Sequence, residues 1–209
     1  MKKIVMTGGG TGGHVTPNLA LIPRLQADGW EIHYIGGANR AEQELISRVP
    51  NVTFYTVAVG KLRRYFDLKN FSDPFRVIKG VAQATGIIRK IKPDVVFSKG
   101  GFVSVPVVYG AKLNGVPVVT HESDLTPGLA NKLCLPFAKV QCCTFPEAVK
   151  YAKGKGIYTG TPIRPEVLSG SREAGRERFG LGGHLPVLMV VGGSTGAQAV
   201  NECVRACLP

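Results

Sequence analysis

Acidic residues are scarce in this chain: 14 Asp and Glu stand against 26 Lys and Arg, giving 209 residues a formal charge of +12. Such an excess points to an anionic partner, whether phosphate, nucleic acid or an acidic membrane surface, without choosing among them. Long hydrophobic runs are also missing. No apolar stretch approaches the roughly 18–20 residues of a membrane helix, although 44% of the residues are hydrophobic. The chain passes from Met1-Lys2-Lys3 straight into Ile4-Val5-Met6 and a glycine turn. With no sustained apolar h-region and no cleavage site there, no signal peptide is read and a cytoplasmic protein is expected. Cysteines are five, an odd number, and never spaced CxxC. Cys203 and Cys207 could share a helix face, but two thiols without nearby histidines make a poor metal site. Reduced, structural thiols are expected. No helix–turn–helix, zinc-finger or RNP pattern is present, which speaks against a nucleic-acid partner.

What is present is an alternation of short apolar strands and helical stretches. Strands are predicted at 3–7, 32–35, 52–57, 94–98, 116–120, 140–144 and 157–159, and helices at 17–27, 41–48, 74–91, 103–113, 128–135 and 146–151. Val, Ile and Phe fill the strands in runs rather than in alternation, as in strands buried on both faces. The class is α/β, a Rossmann-like doubly wound parallel sheet. Pro162 and Pro165 then hinder a regular helix, and a charged segment and Gly180–Gly183 follow. The reading is therefore a first domain over 1–163. Residues 164–209 would be a linker plus one strand–turn–helix unit, with a strand over 186–191. One such unit cannot bury a sheet, so a fragment of a longer protein, or a truncated record, is expected.

The first glycine turn, Thr7-Gly-Gly-Gly-Thr-Gly-Gly-His14, holds five glycines in six positions. Its bare backbone can approach a ligand closely and turn N–H groups toward an anion, with a following helix adding its positive dipole end. Gly8, Gly10 and Gly13 match GxGxxG, but alone that match is weak. A dinucleotide site also needs an acid at the end of the second strand, and there the chain reads Ile35-Gly36-Gly37-Ala38-Asn39. A P-loop needs Gly-Lys-Ser/Thr, and here Gly13-His14-Val15 has no lysine. What remains is an anion or sugar cradle with His14 at its lip. Two further clusters follow strands: Ser98-Lys99-Gly100-Gly101 and His121-Glu122-Ser123-Asp124. In a parallel sheet these ends share one edge, where ligands bind. The competing reading makes His14 a helix-start residue and Glu122 and Asp124 caps ahead of Pro127.

Together, GGGTGGHVTP (8–17), FSKGGFVSVP (97–106), PVVTHESD (117–124), PGLANK (127–132), TGTPIR (159–164) and GGSTGAQAVN (192–201) resemble the MurG family of peptidoglycan glycosyltransferases. The resemblance spans nearly the whole chain. It implies a GT-B enzyme with two Rossmann-like halves facing a cleft. Such an enzyme moves GlcNAc from UDP-GlcNAc to the C4 hydroxyl of lipid I, with inversion, and forms lipid II in cell-wall synthesis. It also implies that Thr11, Gly12 and Gly13 contact the donor sugar or its phosphates, and that Arg164 and Ser194 contact the UDP diphosphate. Gly100, Gly101 and Asp124 join the substrate site. His14 and Glu122 are the catalytic candidates, since an inverting transfer needs a base; the residues alone leave open which of them it is. No DxD-like acidic pair stands where a metal-dependent transferase needs one, so neither metal nor cofactor is expected. Two positions depart from the family pattern: Asp124 where Asn is common, and Val105 where Gly is common. Ionised Asp only accepts hydrogen bonds, whereas Asn also donates.

Over residues 61–80 basic residues interleave with Leu62, Tyr65, Phe66, Leu68, Phe71 and Phe75. One reading sends these aromatics into the core. The other makes an interfacial patch in which Lys61, Arg63, Arg64 and Lys69 attract anionic lipid. An acceptor on a polyprenyl tail favours the second, placing the protein peripherally on the cytoplasmic face of the plasma membrane. The alternatives are a GT-B transferase for another lipid-linked acceptor, or a non-catalytic fragment that binds lipid.

Overall fold

The computed structural model describes residues 1–10, 12–60, 73–183, 185–193 and 196–208. Seven strands, β1 (Lys3–Thr7), β2 (Glu31–Gly36), β3 (Val52–Thr56), β4 (Val95–Ser98), β5 (Val118–Glu122), β6 (Val140–Cys143) and β7 (Gly156–Tyr158), form one sheet. Their order is β3-β2-β1-β4-β5-β6-β7, and every neighbouring pair is parallel. The order reverses direction between β1 and β4, the point at which doubly wound sheets open a crevice at their carboxyl edge.

The helices that cross between strands are α1 (Gly12–Ala27), α2 (Arg40–Ser47), α3 (Asp73–Ile91), α4 (Ser104–Leu113) and α5 (Leu129–Cys134). They cover both faces. Ile4, Met6, Ile32 and Tyr34 pack with Val15 and Ile22 of α1 and Ile46 of α2. The alternate residues Val5, Ile35 and Val96 point the other way and pack with Ala84 and Ile88 of α3 and Val108 of α4. Both sides of each inner strand are thus buried, which is why the strands read as apolar runs. Each fully buried Ile or Val contributes roughly 1.5–3 kcal/mol relative to exposure.

Two corrections concern helix form. The first helix begins at Gly12 rather than at 17, because packing against the sheet outweighs the poor helix propensity of Gly12 and Gly13. Residues Pro146–Ala152 form a 3-10 turn rather than an α-helix, ended by Lys153 in the left-handed region with φ of 50°. The five cysteines are free thiols.

The chain divides into two units, Met1–Arg164 and Pro165–Pro209. The second contains α6 (Pro165–Leu168), α7 (Arg172–Arg178) and α8 (Gln198–Cys207). Ser171 caps α7, its Oγ accepting from the Ala174 N–H at 3.2 Å. The strand expected over 186–191 does not form: the segment has no regular structure, and Leu188 is 90% exposed. A strand needs a neighbour to take its N–H and C=O groups, and no other strand lies in this unit among the described residues.

Candidate active site

The carboxyl ends of β1, β4 and β5 deliver three loops to one place. The β1–α1 loop is the glycine turn. Asn18, buried in α1, donates from Nδ2 to the Thr7 carbonyl at 3.3 Å and to the Tyr34 hydroxyl at 3.2 Å. The Tyr34 hydroxyl in turn donates to the Gly8 carbonyl. Gly10 has φ of 95°, a left-handed value that favours glycine, as the chain swings into α1. Because α1 starts at Gly12, the amides of Gly12, Gly13 and His14 belong to its first turn, where they have no intrahelical acceptor. They form the anion-binding end of a 16-residue helix.

The β4–α4 loop packs directly on this turn. Gly100 and Gly101 have φ of 94° and 81°. A Cβ on Gly101 would lie 2.2 Å from the Gly9 carbonyl oxygen and 3.1 Å from the His14 ring. Only glycine lets the two loops meet there. Lys99 is 1% exposed, an unusual position for an ammonium. Its amide donates to the Thr7 carbonyl at 2.8 Å, and its Nζ donates to the Ser123 hydroxyl of the β5–α5 loop. Burial lowers its pKa, while the nearby Glu122 and Asp124 carboxylates oppose that shift.

His14 faces this cluster. Its Nδ1 is buried without a hydrogen-bond partner. Burial, followed by the Lys99 charge, lowers its pKa below the usual 6.5. The imidazole is therefore neutral near pH 7 and free to accept a proton. Glu122 is differently employed. Its Oε1 accepts from the Asp124 N–H at 3.0 Å, and its Oε2 accepts from the Gly128 N–H at 3.2 Å and Asn131 Nδ2 at 2.8 Å. The carboxylate is 3% exposed and ties the loop ahead of α5. It is Glu122 rather than Asp124 that serves the start of α5; Asp124 is exposed. His121 is anchored at the β7 end through Nε2 and the Gly160 carbonyl at 2.9 Å.

Of the residues singled out in the sequence, His14, Gly100, Gly101, Glu122 and Asp124 therefore come together, and Gly12 and Gly13 lie in the first turn of α1. Arg164 is exposed at the end of the first unit. Thr11 and Ser194 lie outside the described residues, as do residues 61–72 of the basic and aromatic segment. Among the described residues no helix is long and apolar enough to cross a membrane, and no three His, Cys, Asp or Glu residues are grouped to hold a metal.

Three residues of the site escaped sequence reasoning. Lys99 stood in a quoted motif without a role, and Asn131 likewise. Glu42 was not singled out at all. It lies in α2, 2% exposed, under the glycine turn: a Cβ on Gly9 or Gly36 would come within 2.3 or 2.4 Å of its carboxyl oxygens. Burial pushes its pKa up to about 7, against the opposing pull of the Gly10 and Gly37 amides. The available signal was its spacing: Glu42 and Ile46 are four apart and share the buried face of α2.

Residues 4–141 match the model of the glycosyltransferase family 28 N-terminal domain. The chain is 57% identical over its whole length to a protein of Clostridium kluyveri named UDP-N-acetylglucosamine--N-acetylmuramyl-(pentapeptide) pyrophosphoryl-undecaprenol N-acetylglucosamine transferase. A protein of the same name from Geobacillus thermodenitrificans is also 57% identical over the whole chain. In each case the chain spans 59% of the relative's length. Among solved structures, Acinetobacter baumannii MurG superimposes with a TM-score of 0.65 at 29% identity, covering 78% of this chain and 46% of that one.

Proposed function

Since the chain belongs to the glycosyltransferase family 28 N-terminal domain family, we propose that it forms the acceptor side of an inverting N-acetylglucosaminyltransferase. The donor is UDP-GlcNAc, the acceptor is lipid I and the product is lipid II of peptidoglycan synthesis. Residues 1–163 bind the acceptor, and residues 164–209 are the linker and opening segment of the donor-binding side. The observation that carries this reading is the convergence of a neutral, partly buried imidazole on a glycine-built anion cradle at the sheet's carboxyl edge.

In the reaction the C4 hydroxyl of the muramoyl sugar attacks the anomeric carbon of GlcNAc. The new C–O bond forms as the bond to the UDP oxygen breaks. The electron pair leaves with UDP, and the hydroxyl proton passes to the His14 imidazole. Glu122 acts by holding the loop that carries Ser123 and Asp124. Lys99 supplies a buried positive charge close to where the diphosphate accumulates charge. The first-turn amides of α1, with Thr11, Gly12 and Gly13, face the donor sugar or its phosphates. Arg164 and Ser194 serve the UDP diphosphate, for which the forked guanidinium is suited.

A lipid-borne acceptor is met at a bilayer. Phe75 and Ile78 of α3 are 75% and 66% exposed, and with the basic residues of 61–80 they suit an interfacial patch on the cytoplasmic face of the membrane. The test is transfer of radiolabelled GlcNAc by the full-length protein. Transfer to lipid I is expected; transfer only to another acceptor, such as diacylglycerol, would overturn the reading.

A further inference from the structure

Beside the glycine turn, away from Lys99 and Glu122, lies a cavity of about 610 Å³. Gly10 and Gly37 form one wall, Val57, Val59 and Val103 supply apolar surface, and Glu42 also lines it. Arg40, Arg76 and Lys79 complete the lining. Three cations therefore share one cavity with a single carboxyl group. Arg40 is the first residue of α2, and Arg76 lies in the first turn of α3. Helix starts favour anions and disfavour cations. Cations placed there, beside two helix starts, make sense when an anion binds between them.

The wall that carries two of these cations is firmly placed. Gly80 packs against the chain after β3 so closely that a Cβ would lie 2.1 Å from the Ala58 carbonyl oxygen. On the next turn the Gln83 side chain accepts from the Ala58 N–H at 2.8 Å. A second observation also points to a ligand. Glu42 is 98% buried by the same measure that makes it 2% exposed, and neither carboxyl oxygen has a hydrogen-bond partner of good geometry. A buried carboxyl left so is costly unless a donor arrives.

We propose that this cavity binds the diphosphate and adjoining sugar of the lipid-linked acceptor: Arg40, Arg76 and Lys79 take the phosphates, and Glu42 receives a sugar N–H or O–H. This rests on the acceptor reading above. The order of groups along the acceptor supports it. Tail, diphosphate and sugar follow one another in the ligand. Exposed Phe75 and Ile78, the cation-lined cavity, and Gly10 of the turn that leads to His14 follow one another on the protein.

The test uses the full-length protein with Arg40, Arg76 and Lys79 all changed to Ala, and with Arg76→Glu alone. Melting temperature checks that each variant folds. KM for a water-soluble, short-chain lipid I analogue should rise about tenfold or more, as expected for lost charge-assisted contacts. KM for UDP-GlcNAc should stay unchanged. Inorganic pyrophosphate should compete with the acceptor in the wild type and lose that competition in the variants. Continued transfer with an unchanged acceptor KM overturns the cavity assignment and leaves the transferase reading standing. Loss of binding to phosphatidylglycerol vesicles with an unchanged KM for the soluble analogue also overturns it, since the cations would then serve the bilayer. If the wild type transfers nothing to lipid I, the transferase reading falls by itself. Calorimetric pyrophosphate binding, lost in the variants, would still support the anion site, and its persistence in them would overturn it.

Discussion

Glu42 ties stability to pH in a direction opposite to an ordinary surface carboxylate. Its pKa rises from 4.5 in the unfolded chain to about 7 in the fold. Between those values the folded state holds a proton that the unfolded state has lost, so stability falls as pH rises. Above about pH 7 the cost is fully present, and below about 4.5 it vanishes. A shift of this size corresponds to roughly 3 kcal/mol in full, of which about 2 kcal/mol develops between pH 5 and pH 8. Glu42→Gln keeps the shape and removes the titration. His14 and His121 have lowered pKa values and push the other way below pH 6.5, but they are common to both proteins and cancel in the difference. Urea melts at both pH values should therefore show the variant gaining about 2 kcal/mol relative to wild type as pH rises. In thermal melts that is roughly 4–8 °C for a chain of this size. A wild-type-minus-variant difference that stays constant with pH would refute a buried, protonated Glu42.

Gly101→Ala should destabilise the protein by about 2 kcal/mol or more, because the left-handed backbone is strained by a side chain and the new methyl meets the Gly9 carbonyl; a thermal melt within 1–2 °C of wild type, about 0.5 kcal/mol, would contradict the loop contact. Lys99→Met removes a positive charge that lowers the His14 pKa, so the imidazole titration followed by NMR should move upward toward 6.5; an unchanged or lower value would show that the two do not interact. Glu122→Gln leaves at least one of three N–H donors facing an amide NH2, and should cost about 2–3 kcal/mol in chemical denaturation. Asp124→Ala should cost little by comparison, and equal losses would contradict the assignment of the loop's anchor to Glu122.

The sheet was legible because its signal is local and repeated. β1 and the inner strands carry apolar runs followed by glycine or polar turns, and parallel pairing follows from that pattern. The same rule misplaced a strand over 186–191, where the residues have β character but no neighbouring strand pairs with them. Local propensity also hid the start of α1, since Gly12 and Gly13 read as turn while packing makes them helix. Convergence of the three loops could be foreseen from topology alone. What each side chain does within the convergence could not. Glu122 looked like a catalytic acid or base, and its three N–H donors come from positions two, six and nine residues away that only the folded loop brings around it. Lys99 and Glu42 are charged residues, which sequence reasoning assigns to solvent; their burial depends on Thr7, Gly9 and Gly36, far away in the chain.

The most direct test of a transferase built around a neutral His14 is kinetic. The full-length protein and its His14→Ala variant would be compared for GlcNAc transfer from UDP-GlcNAc to lipid I, with KM and melting temperature measured alongside. Loss of the base should lower kcat by roughly 10²–10⁴-fold, with the melting temperature and both KM values little changed. Equal turnover in the two proteins, or a loss of activity matched by a loss of folding, would contradict His14 as the group that takes the acceptor's proton.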